Sequence, residues 1–187
     1  MEPEGADRLS RAVVRVCDHD VVDRWELTDD PEEVHRLLLA SDLHAAGDGR
    51  PPQRSLDSTR RLVSVGAVHG LRREGRLVVT VTLTEDRTFE PGPECADVTP
   101  VLYMRRLCVD PAIGDPLLGL RAARRATSLA REQGFRALRA EVNPEVPGVH
   151  RMLTSLGFRQ RGGVALDGEI PAVQMELLLA GSDAVDR

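Results

Sequence analysis

The sequence predicts a single domain of mixed α/β class, in which helices pack on a sheet. Its length of 187 residues suits one domain and is sufficient to bury a substantial core. Apolar residues recur at helical spacing in some segments and at alternate positions in others. After a predicted β-hairpin, the order of elements is strand, helix, strand, helix and strand.

The composition is that of a globular protein and excludes several kinds of chemistry. Hydrophobic residues make up 41% of the chain and charged residues 29%, and no apolar stretch approaches the roughly 20 residues that span a bilayer. All 25 basic side chains are Arg. The absence of Lys excludes a P-loop lysine, a pyridoxal-phosphate Schiff base and a lysine nucleophile. The net charge of -5 argues against a generally basic surface for nucleic acid.

The cysteines and the N-terminal segment indicate the cellular compartment in which the protein works. Cys17, Cys95 and Cys108 are odd in number, widely spaced and never in a CxxC pair, which argues against a disulfide framework and a zinc site. Met1 to Arg11 is polar and lacks the apolar region of a secretory signal, and residues 1–10 are expected to form a disordered arm. These features predict a reducing cytoplasm and no membrane partner.

The first part of the chain predicts a strand and two helices. Arg11 to Cys17 has the pattern of a short strand. Asp29-Asp30-Pro31 provides an N-cap and a first-turn proline, and the leucines that follow lie at helical spacing. Segment 45–54 is rich in Gly and Pro and is expected to be a loop. Leu56 to Val65 predicts a second helix that ends near Gly66.

The middle of the chain changes to a period of two. Val68 to Arg72 and Leu77 to Thr84 predict the arms of a β-hairpin, the second of which is rich in Val and Thr. Phe89 to Pro100 contains three prolines and is expected to be a loop. Val101 to Val109 predicts another strand, which Asp110-Pro111 ends.

A long amphipathic helix follows from Pro116 to Gln133. Asp115 is its predicted N-cap and Gly134 its C′ residue. Leucines and alanines form one stripe, and arginines occupy the opposite face. The remaining predicted elements are a strand, a short helix and a last strand: Ala137 to Val142, Gly148 to Leu156 and Val173 to Leu179.

Three segments form an ordered set of motifs. They are Leu107-Cys108-Val109-Asp110-Pro111 before the long helix, Glu141-Val142-Asn143-Pro144-Glu145, and Leu156-Gly157-Phe158. In the GNAT superfamily of N-acetyltransferases, a strand ending in L-x-V-x-P leads through a glycine-rich loop into a long helix, and a later helix ends in L-G-F. The chain resembles that family over roughly Val68 to Leu179.

The resemblance implies a mixed central sheet in which two adjacent parallel strands, Val101 to Val109 and Ala137 to Val142, splay apart and admit the pantetheine arm of an acyl-CoA. Backbone groups of Leu107 and Val109 would pair with the pantetheine amides, and the pyrophosphate would lie on amides at the start of the next helix. Family members transfer an acetyl or other acyl group directly to an amine. The implied cofactor-binding residues are Leu107, Cys108, Val109, Gly114, Leu117, Leu118, Gly119 and Arg121.

The loop before the long helix departs from the family pattern. The family has Q/R-x-x-G-x-G/A where this chain has Gly114-Asp115-Pro116-Leu117-Leu118-Gly119, so only the last glycine is kept. Pro116 has no amide proton, and Asp115 puts a carboxylate where the pyrophosphate is expected. A purely structural role as N-cap and first-turn proline is also open for these two residues. In either case, we expect weak binding of acyl-CoA.

The usual proton donor is also missing. Family members carry a tyrosine shortly before L-G-F, where this chain has Leu153. The candidates for acid–base chemistry are Tyr103 on the splayed strand, Glu141 on the next strand and His150 near the start of the last helix. Each of them is also compatible with a packing or surface role. Cys108 is expected to be a small core residue rather than a nucleophile.

Three functions are open at this point. The first is acyl transfer from acetyl-CoA or another acyl-CoA to a small-molecule or peptide amine. The second is a related transferase that uses an aminoacyl-tRNA donor, for which the support is one helix face with Arg121, Arg124, Arg125 and Arg131. A solvated helix face explains these arginines without tRNA. The third is a non-catalytic GNAT-fold module that binds a metabolite or a protein.

Overall fold

The computed structural model describes residues 23–47, 51, 53–87, 89–144, 146–167 and 170–179. It contains one mixed sheet with helices packed against both faces, which confirms the predicted fold class. The predicted arm of residues 1–10 and the predicted strand Arg11 to Cys17 lie outside the described residues.

The sheet has seven strands in the described part of the chain. They are β1 Asp23–Leu27, β2 Val68–Arg73, β3 Arg76–Thr84, β4 Val101–Val109, β5 Ala137–Val142, β6 Arg159–Asp167 and β7 Ile170–Leu178. Their spatial order is β1-β2-β3-β4-β5-β7-β6. All neighbours are antiparallel except β4 and β5, which are parallel and lie near the middle of the sheet.

The described residues form four helices, α1 Pro31–Ala46, α2 Leu56–Ser64, α3 Leu118–Glu132 and α4 Pro147–Ser155. α1 begins as predicted, because Asp30 Oδ1 accepts a hydrogen bond from the Glu33 amide at 2.8 Å and Pro31 follows the cap. Ser55 caps α2. Gly134, with φ of 79°, follows the end of α3 at the predicted position.

Apolar side chains fill both faces of the sheet. The larger core contains Leu138, Phe158 and Met175, each at most 1% exposed, and packs with α3 and α4. Cys108 packs against α1. Because Cys108 follows Leu107, which packs with the larger core, α1 and α3 lie on opposite faces of the sheet. We refer to them as the α1 face and the α3 face.

The sequence pattern does not predict β1 and β6. β1 carries charged side chains at most of its positions, a composition that does not favour a strand. It is a strand because it pairs with β2. β6 contains adjacent glycines, and its pairing with β7 shifts between Arg161 and Ala165. Both strands therefore depend on a neighbour that the local sequence does not reveal.

Candidate active site

β4 and β5 are hydrogen-bonded neighbours over only the first part of their length. The paired positions run from Val101 with Ala137 to Met104 with Ala140. β4 continues to Val109, and β5 also extends past the last pair, while their outer edges stay paired with β3 and β7. The two strands therefore open into a wedge, as the resemblance implied.

A bulge in β4 lies where the wedge opens. Thr82 pairs with Arg105 and Thr80 pairs with Cys108, so two residues of β4 face a single residue of β3. Arg106, inside the bulge, has φ of 50°, a left-handed conformation that is uncommon for a residue other than glycine. A bulge bends its strand and strengthens the local twist, which here helps β4 to separate from β5.

The start of α3 lies against the wedge at Gly119. A Cβ atom added to this glycine would lie 3.8 Å from Leu107 Cδ2, 3.9 Å from Val109 Cγ2 and 3.4 Å from Met152 Sδ. The side chains of Leu107 and Val109 therefore lie between the wedge and the first turn of α3. A larger side chain at position 119 would occupy this space.

Cys108 is turned away from this approach. Its side chain is buried on the α1 face, and burial raises the pKa of the thiol to about 11. The thiol is therefore protonated at neutral pH and unsuited to nucleophilic attack. The side chain is a core residue, as predicted. Any contact of Cys108 with a cofactor would involve its backbone, and that contact stays a prediction.

In the loop between β4 and α3, the side chain and the backbone carbonyl of Asp115 accept hydrogen bonds from two amides of the same loop. Asp115 Oδ1 accepts a hydrogen bond from the Leu117 amide at 2.9 Å. The Asp115 carbonyl accepts from the Leu118 amide at 3.3 Å. Pro116, between them, has no amide proton. Consecutive positions that were expected to hold a pyrophosphate are thus engaged within the loop.

α3 begins at Leu118, later than predicted, and its N-cap is Leu117 rather than Asp115. The prediction of Asp115 as N-cap was wrong because its side chain bonds the amide two residues on, which forms a tight local turn before the helix. In the described residues, no partner is found for the amides of Gly119 and Leu120. These two groups are the donors that remain at the helix start.

The Asp115 carboxylate also belongs to a set of four charged side chains, Asp23, Arg73, Asp115 and Arg121, which we call the loop network. Arg73 Nη2 lies 3.2 Å from Asp115 Oδ2, and Arg121 Nη1 lies 3.8 Å from it. Asp23 contacts both arginines, Arg73 at 3.0 Å and Arg121 at 2.8 Å. The hydrogen bond from the Leu117 amide, followed by the two arginines, holds the pKa of Asp115 below its usual range. A charged carboxylate therefore stands at the expected anion position.

These contacts determine how an acyl-CoA fits. The wedge offers unpaired strand edges to a thin, amide-containing chain such as pantetheine. The loop, in contrast, does not suit a pyrophosphate, because it presents a proline, an engaged amide and a negative charge. The pantetheine part of the donor fits this chain, and the pyrophosphate part does not fit the loop as it stands.

A cavity of about 400 Å³ lies on the α1 face beside the paired part of β4 and β5. Tyr103 is in its wall, with Glu85 and Asp97 among the other lining residues. The Tyr103 ring is buried and meets Phe89 edge-on, with ring centroids 5.3 Å apart. Arg139 is its register partner on β5 and lines the same cavity.

Arg139 is also part of a buried cluster that the sequence pattern does not predict, formed by Arg139, Arg161 and Glu176, which we call the buried network. Glu176 is fully buried, with Oε1 3.0 Å from Arg139 Nη2 and Oε2 3.0 Å from Arg161 Nε. The same carboxylate accepts from the Ala96 amide at 3.2 Å, and Arg139 donates to the Ala96 carbonyl at 2.6 Å. The loop between β3 and β4 is thereby fixed beside the cavity.

The acid–base candidates do not meet at one point. Glu141 lies two residues after Arg139 on β5, so its side chain shares the α1 face with Tyr103. His150 lies on α4, with Nε2 3.1 Å from an amide oxygen of a β6 glutamine. Leu153, at the position of the family tyrosine, is 1% exposed in the core. The catalytic roles of Tyr103, Glu141 and His150 stay predictions.

The arginine face of α3 is partly engaged within the protein. Arg121 belongs to the loop network, and Arg125 lies 3.4 Å from Glu132. Arg124 and Arg131 are exposed.

Over the residues that the structure covers, no helix is long and apolar enough to cross a bilayer, and no three acidic, His or Cys side chains are grouped to hold a metal ion.

The sheet, the wedge and the flanking helices together define a mixed α/β fold in which two central parallel strands separate. No family model and no curated protein sequence matches the chain, but solved structures do. A GNAT-family acetyltransferase from Streptococcus agalactiae superposes with a TM-score of 0.66 at 14% identity, covering 84% of this chain and 96% of that one.

Two further structures give the same result. Polyamine N-acetyltransferase from Drosophila melanogaster, which forms N-acetylagmatine, has a TM-score of 0.61 at 20% identity and covers 84% of this chain and 100% of that one. An acetyltransferase from Salmonella typhimurium, solved with its cofactor acetyl-CoA, has a TM-score of 0.61 at 17% identity and covers 88% and 98%. The chain therefore has the GNAT fold, as its motifs predicted.

Proposed function

We propose that the chain is an N-acyltransferase of the GNAT type, which moves an acetyl or other acyl group from a thioester donor to an amine. The observation that carries this proposal is the wedge. Backbone groups on a strand edge inside a folded domain need hydrogen-bond partners, and β4 loses its neighbour after Met104. A pantetheine arm bears amides that can replace that neighbour, with Leu107 and Val109 as its backbone partners.

The donor supplies an activated acyl group, and the residues of the chain supply position and proton transfer. Tyr103 is our proposed acid, because its hydroxyl can donate a proton and it lies in the cavity wall, one residue before the last pair of β4 and β5. Glu141 is the proposed acceptor of the amine proton, since it lies on the same sheet face. His150 is the less suitable candidate because its ring is hydrogen-bonded to a β6 side chain.

The amine would approach through the cavity on the α1 face. Glu85 and Asp97 line this cavity together with Arg87 and Arg139, so an incoming amine meets carboxylates that can bind an ammonium group and guanidinium groups that repel it. We further propose that the protein works in the cytoplasm, because its three cysteines lack the number and spacing of a disulfide framework. Cys95 and Cys108 are both free thiols.

The test is a measurement of thiol release from acetyl-CoA, longer acyl-CoAs and acetyl-pantetheine in the presence of a panel of amines. We expect amine-dependent release by the unaltered chain, with mass spectrometry showing the acylated amine. Tyr103→Phe should lower the rate strongly. No amine-dependent release with any of these donors would contradict the proposal and favour a binding module.

An aminoacyl-tRNA donor is tested separately by filter binding. Its phosphates would need the arginine face of α3, where two of the four arginines are already paired. We therefore expect no salt-sensitive binding of tRNA near 50 mM salt. Tight binding that weakens steeply with salt would support the tRNA alternative instead.

A further inference from the structure

The loop between β3 and β4 is held on the sheet by side chains. Among the described residues, no backbone-to-backbone hydrogen bond joins residues 90–96 to another element. The backbone groups of this segment are bound instead by side chains of β5 and β7, namely Arg139, Gln174 and Glu176. Loop segments with few contacts open at little cost, so the position of this segment depends on those three side chains.

Gln174 binds the segment with both groups of its side-chain amide. Its Oε1 accepts a hydrogen bond from the Gly92 amide at 2.8 Å, and its Nε2 donates to the Glu90 carbonyl at 2.8 Å. The same oxygen lies 3.6 Å from Cys95 Sγ. A primary amide carries an acceptor and a donor side by side, as the backbone of a neighbouring strand does. A Met of similar size would make neither hydrogen bond, and a Glu would make only the one from Gly92.

Gln174 stands beside the proposed reaction site without being part of the cavity wall. It pairs in register with Glu141 on β5, so the two side chains lie on the same face of the sheet. Glu176, two residues further along β7, shares that face and accepts from the Ala96 amide. Neither Gln174 nor Glu176 is among the residues that line the cavity. Both side chains therefore act on the cavity through the loop that they hold.

The held segment forms much of the cavity wall. Pro91, Cys95 and Ala96 line the cavity, and the wall continues through residues 97–99 and includes Tyr103. The cavity volume of about 400 Å³ lies in the range of sites for small molecules. The width of the cavity is therefore determined by where the loop lies.

Of the contacts that hold the loop, those of Gln174 are the ones whose loss affects the loop alone. Arg139 and Glu176 belong to the buried network, so changing either also removes a buried ion pair of the sheet. The contact between the Gly162 amide and Glu94 Oε2, at 3.0 Å, is exposed. The Gln174 side chain is uncharged and half-buried, and its two hydrogen bonds end on loop backbone.

We propose that Gln174 is a positioning residue of the acceptor site, which holds the loop between β3 and β4 in place and so sets the size of the amine that the cavity admits. This inference rests on the proposed function and specifies its acceptor as a small-molecule amine. An amine that fits the cavity meets a wall already in place, which lowers the entropic cost of binding. An amine too large for the cavity meets the backbone of the held loop and is excluded.

The first experiment measures amide hydrogen exchange in the protein without ligands. Gln174→Met keeps the size of the side chain and removes both hydrogen bonds, so we expect exchange at Gly92 to become about 10-fold faster. Gln174→Glu keeps the acceptor for the Gly92 amide and should show a smaller increase. Gln133→Met, at the exposed end of α3, is the matched control and should leave this exchange unchanged. Unchanged exchange at Gly92 in Gln174→Met would overturn the inference.

The second experiment uses the transfer assay with primary amines of increasing size, from ethylamine to a tripeptide. For the amine that the unaltered chain uses best, we expect Gln174→Met to raise KM about 10-fold and to change kcat less than about threefold. The preference for small over large amines should fall about 10-fold. Gln133→Met should leave both results unchanged. A faster-exchanging loop with the same KM and the same preference would overturn the inference and leave the transferase proposal intact.

A third measurement separates the inference from the proposed function. Each amine of the series is added without an acyl donor, and exchange of residues 90–99 is followed. We expect a small amine to slow this exchange in the unaltered chain, and Gln174→Met to require about 10-fold more amine for the same protection. This result without any acyl transfer would reject the transferase and keep the role of Gln174 in amine binding. Acyl transfer without protection of the loop by any amine would reject the inference alone.

Discussion

The molecule contains two charge networks of similar chemistry in very different surroundings. In the buried network, the side chain of Glu176 is 0% exposed and that of Arg139 is 6% exposed. In the loop network, the side chain of Asp115 is 22% exposed and that of Arg121 is 45% exposed. A buried pair cannot lose one member without leaving a charge away from water, whereas solvent-exposed partners can be exchanged at small cost.

This difference assigns different roles to the two networks. The buried network fixes the loop beside the cavity and holds Arg139 in the cavity wall. The loop network stands where the fold would bind a phosphate, and an external anion could take over its arginines. The cavity side is therefore held by buried charges, and the loop side is open to competition from an external anion. Four measurements test this difference between the two networks.

The largest effect is expected for Glu176→Gln. Removing this charge leaves Arg139 and Arg161 without their carboxylate, which should lower the free energy of unfolding by about 3 kcal/mol. Urea denaturation measures this loss. Glu132→Gln, at a surface pair with Arg125, is the control and should cost less than about 0.5 kcal/mol. Equal losses for the two variants would mean that the burial of Glu176 has no energetic consequence.

Tyr103→Phe should reduce turnover about 100-fold, because the variant removes the proposed proton donor but keeps the ring that packs on Phe89. KM for the amine should change little. His150→Gln is the comparison, and we expect it to stay within about threefold of the unaltered rate. The reverse result would assign proton transfer to His150 on α4 instead of Tyr103 in the cavity wall.

Asp115→Gly should strengthen acetyl-CoA binding about tenfold or more, because it frees the Leu117 amide and removes a charge that repels phosphate. Isothermal titration measures the affinity, and Asp57→Asn on exposed α2 is the control. Asp115→Asn separates the two causes, since it removes only the charge. The unaltered chain should also use acetyl-pantetheine nearly as well as acetyl-CoA. Tight binding of CoA by the unaltered chain would show that its phosphates lie elsewhere.

The smallest effect concerns stability and pH. Because the folded-state pKa of Asp115 is depressed, its ion pairs stabilise the protein above pH about 4, and that contribution is lost as the pH falls through the folded-state pKa. Asp115→Asn should therefore cost about 0.5 kcal/mol at pH 7 and nothing at the acid end of the titration. A constant difference in urea midpoint across this range would contradict the assignment.

Local patterns were enough to predict most of the fold. β4 and β5 have the predicted bounds, because each is an apolar run that ends at polar or proline residues. Asp30 and Ser55 cap the first two helices because short polar side chains before helical patterns satisfy the first amides. The wedge was predicted from the family resemblance, because the sequences of two separate strands do not show over what length the strands pair.

The site was only partly predictable, because its main contacts join distant parts of the chain. Arg139 and Glu176 each stand within an apolar strand, which was a signal, but their pairing depends on the register of β5 and β7. The loop network needs Asp23 from β1, a strand that the sequence pattern does not reveal. The left-handed conformation of Arg106 belongs to a bulge, and bulges have no clear sequence signature.

Among the described residues, the sheet does not close on itself and has two outer strands, β1 and β6. An unpaired outer edge can recruit a strand from another molecule and start aggregation. β1 carries Asp23, Arg24 and Glu26 among its five residues, and β6 loses its regular pairing between Arg161 and Ala165. Charged side chains and bulges both oppose the addition of a foreign strand. The sheet can thus separate two strands at its centre while its outer borders resist self-association in a crowded solution.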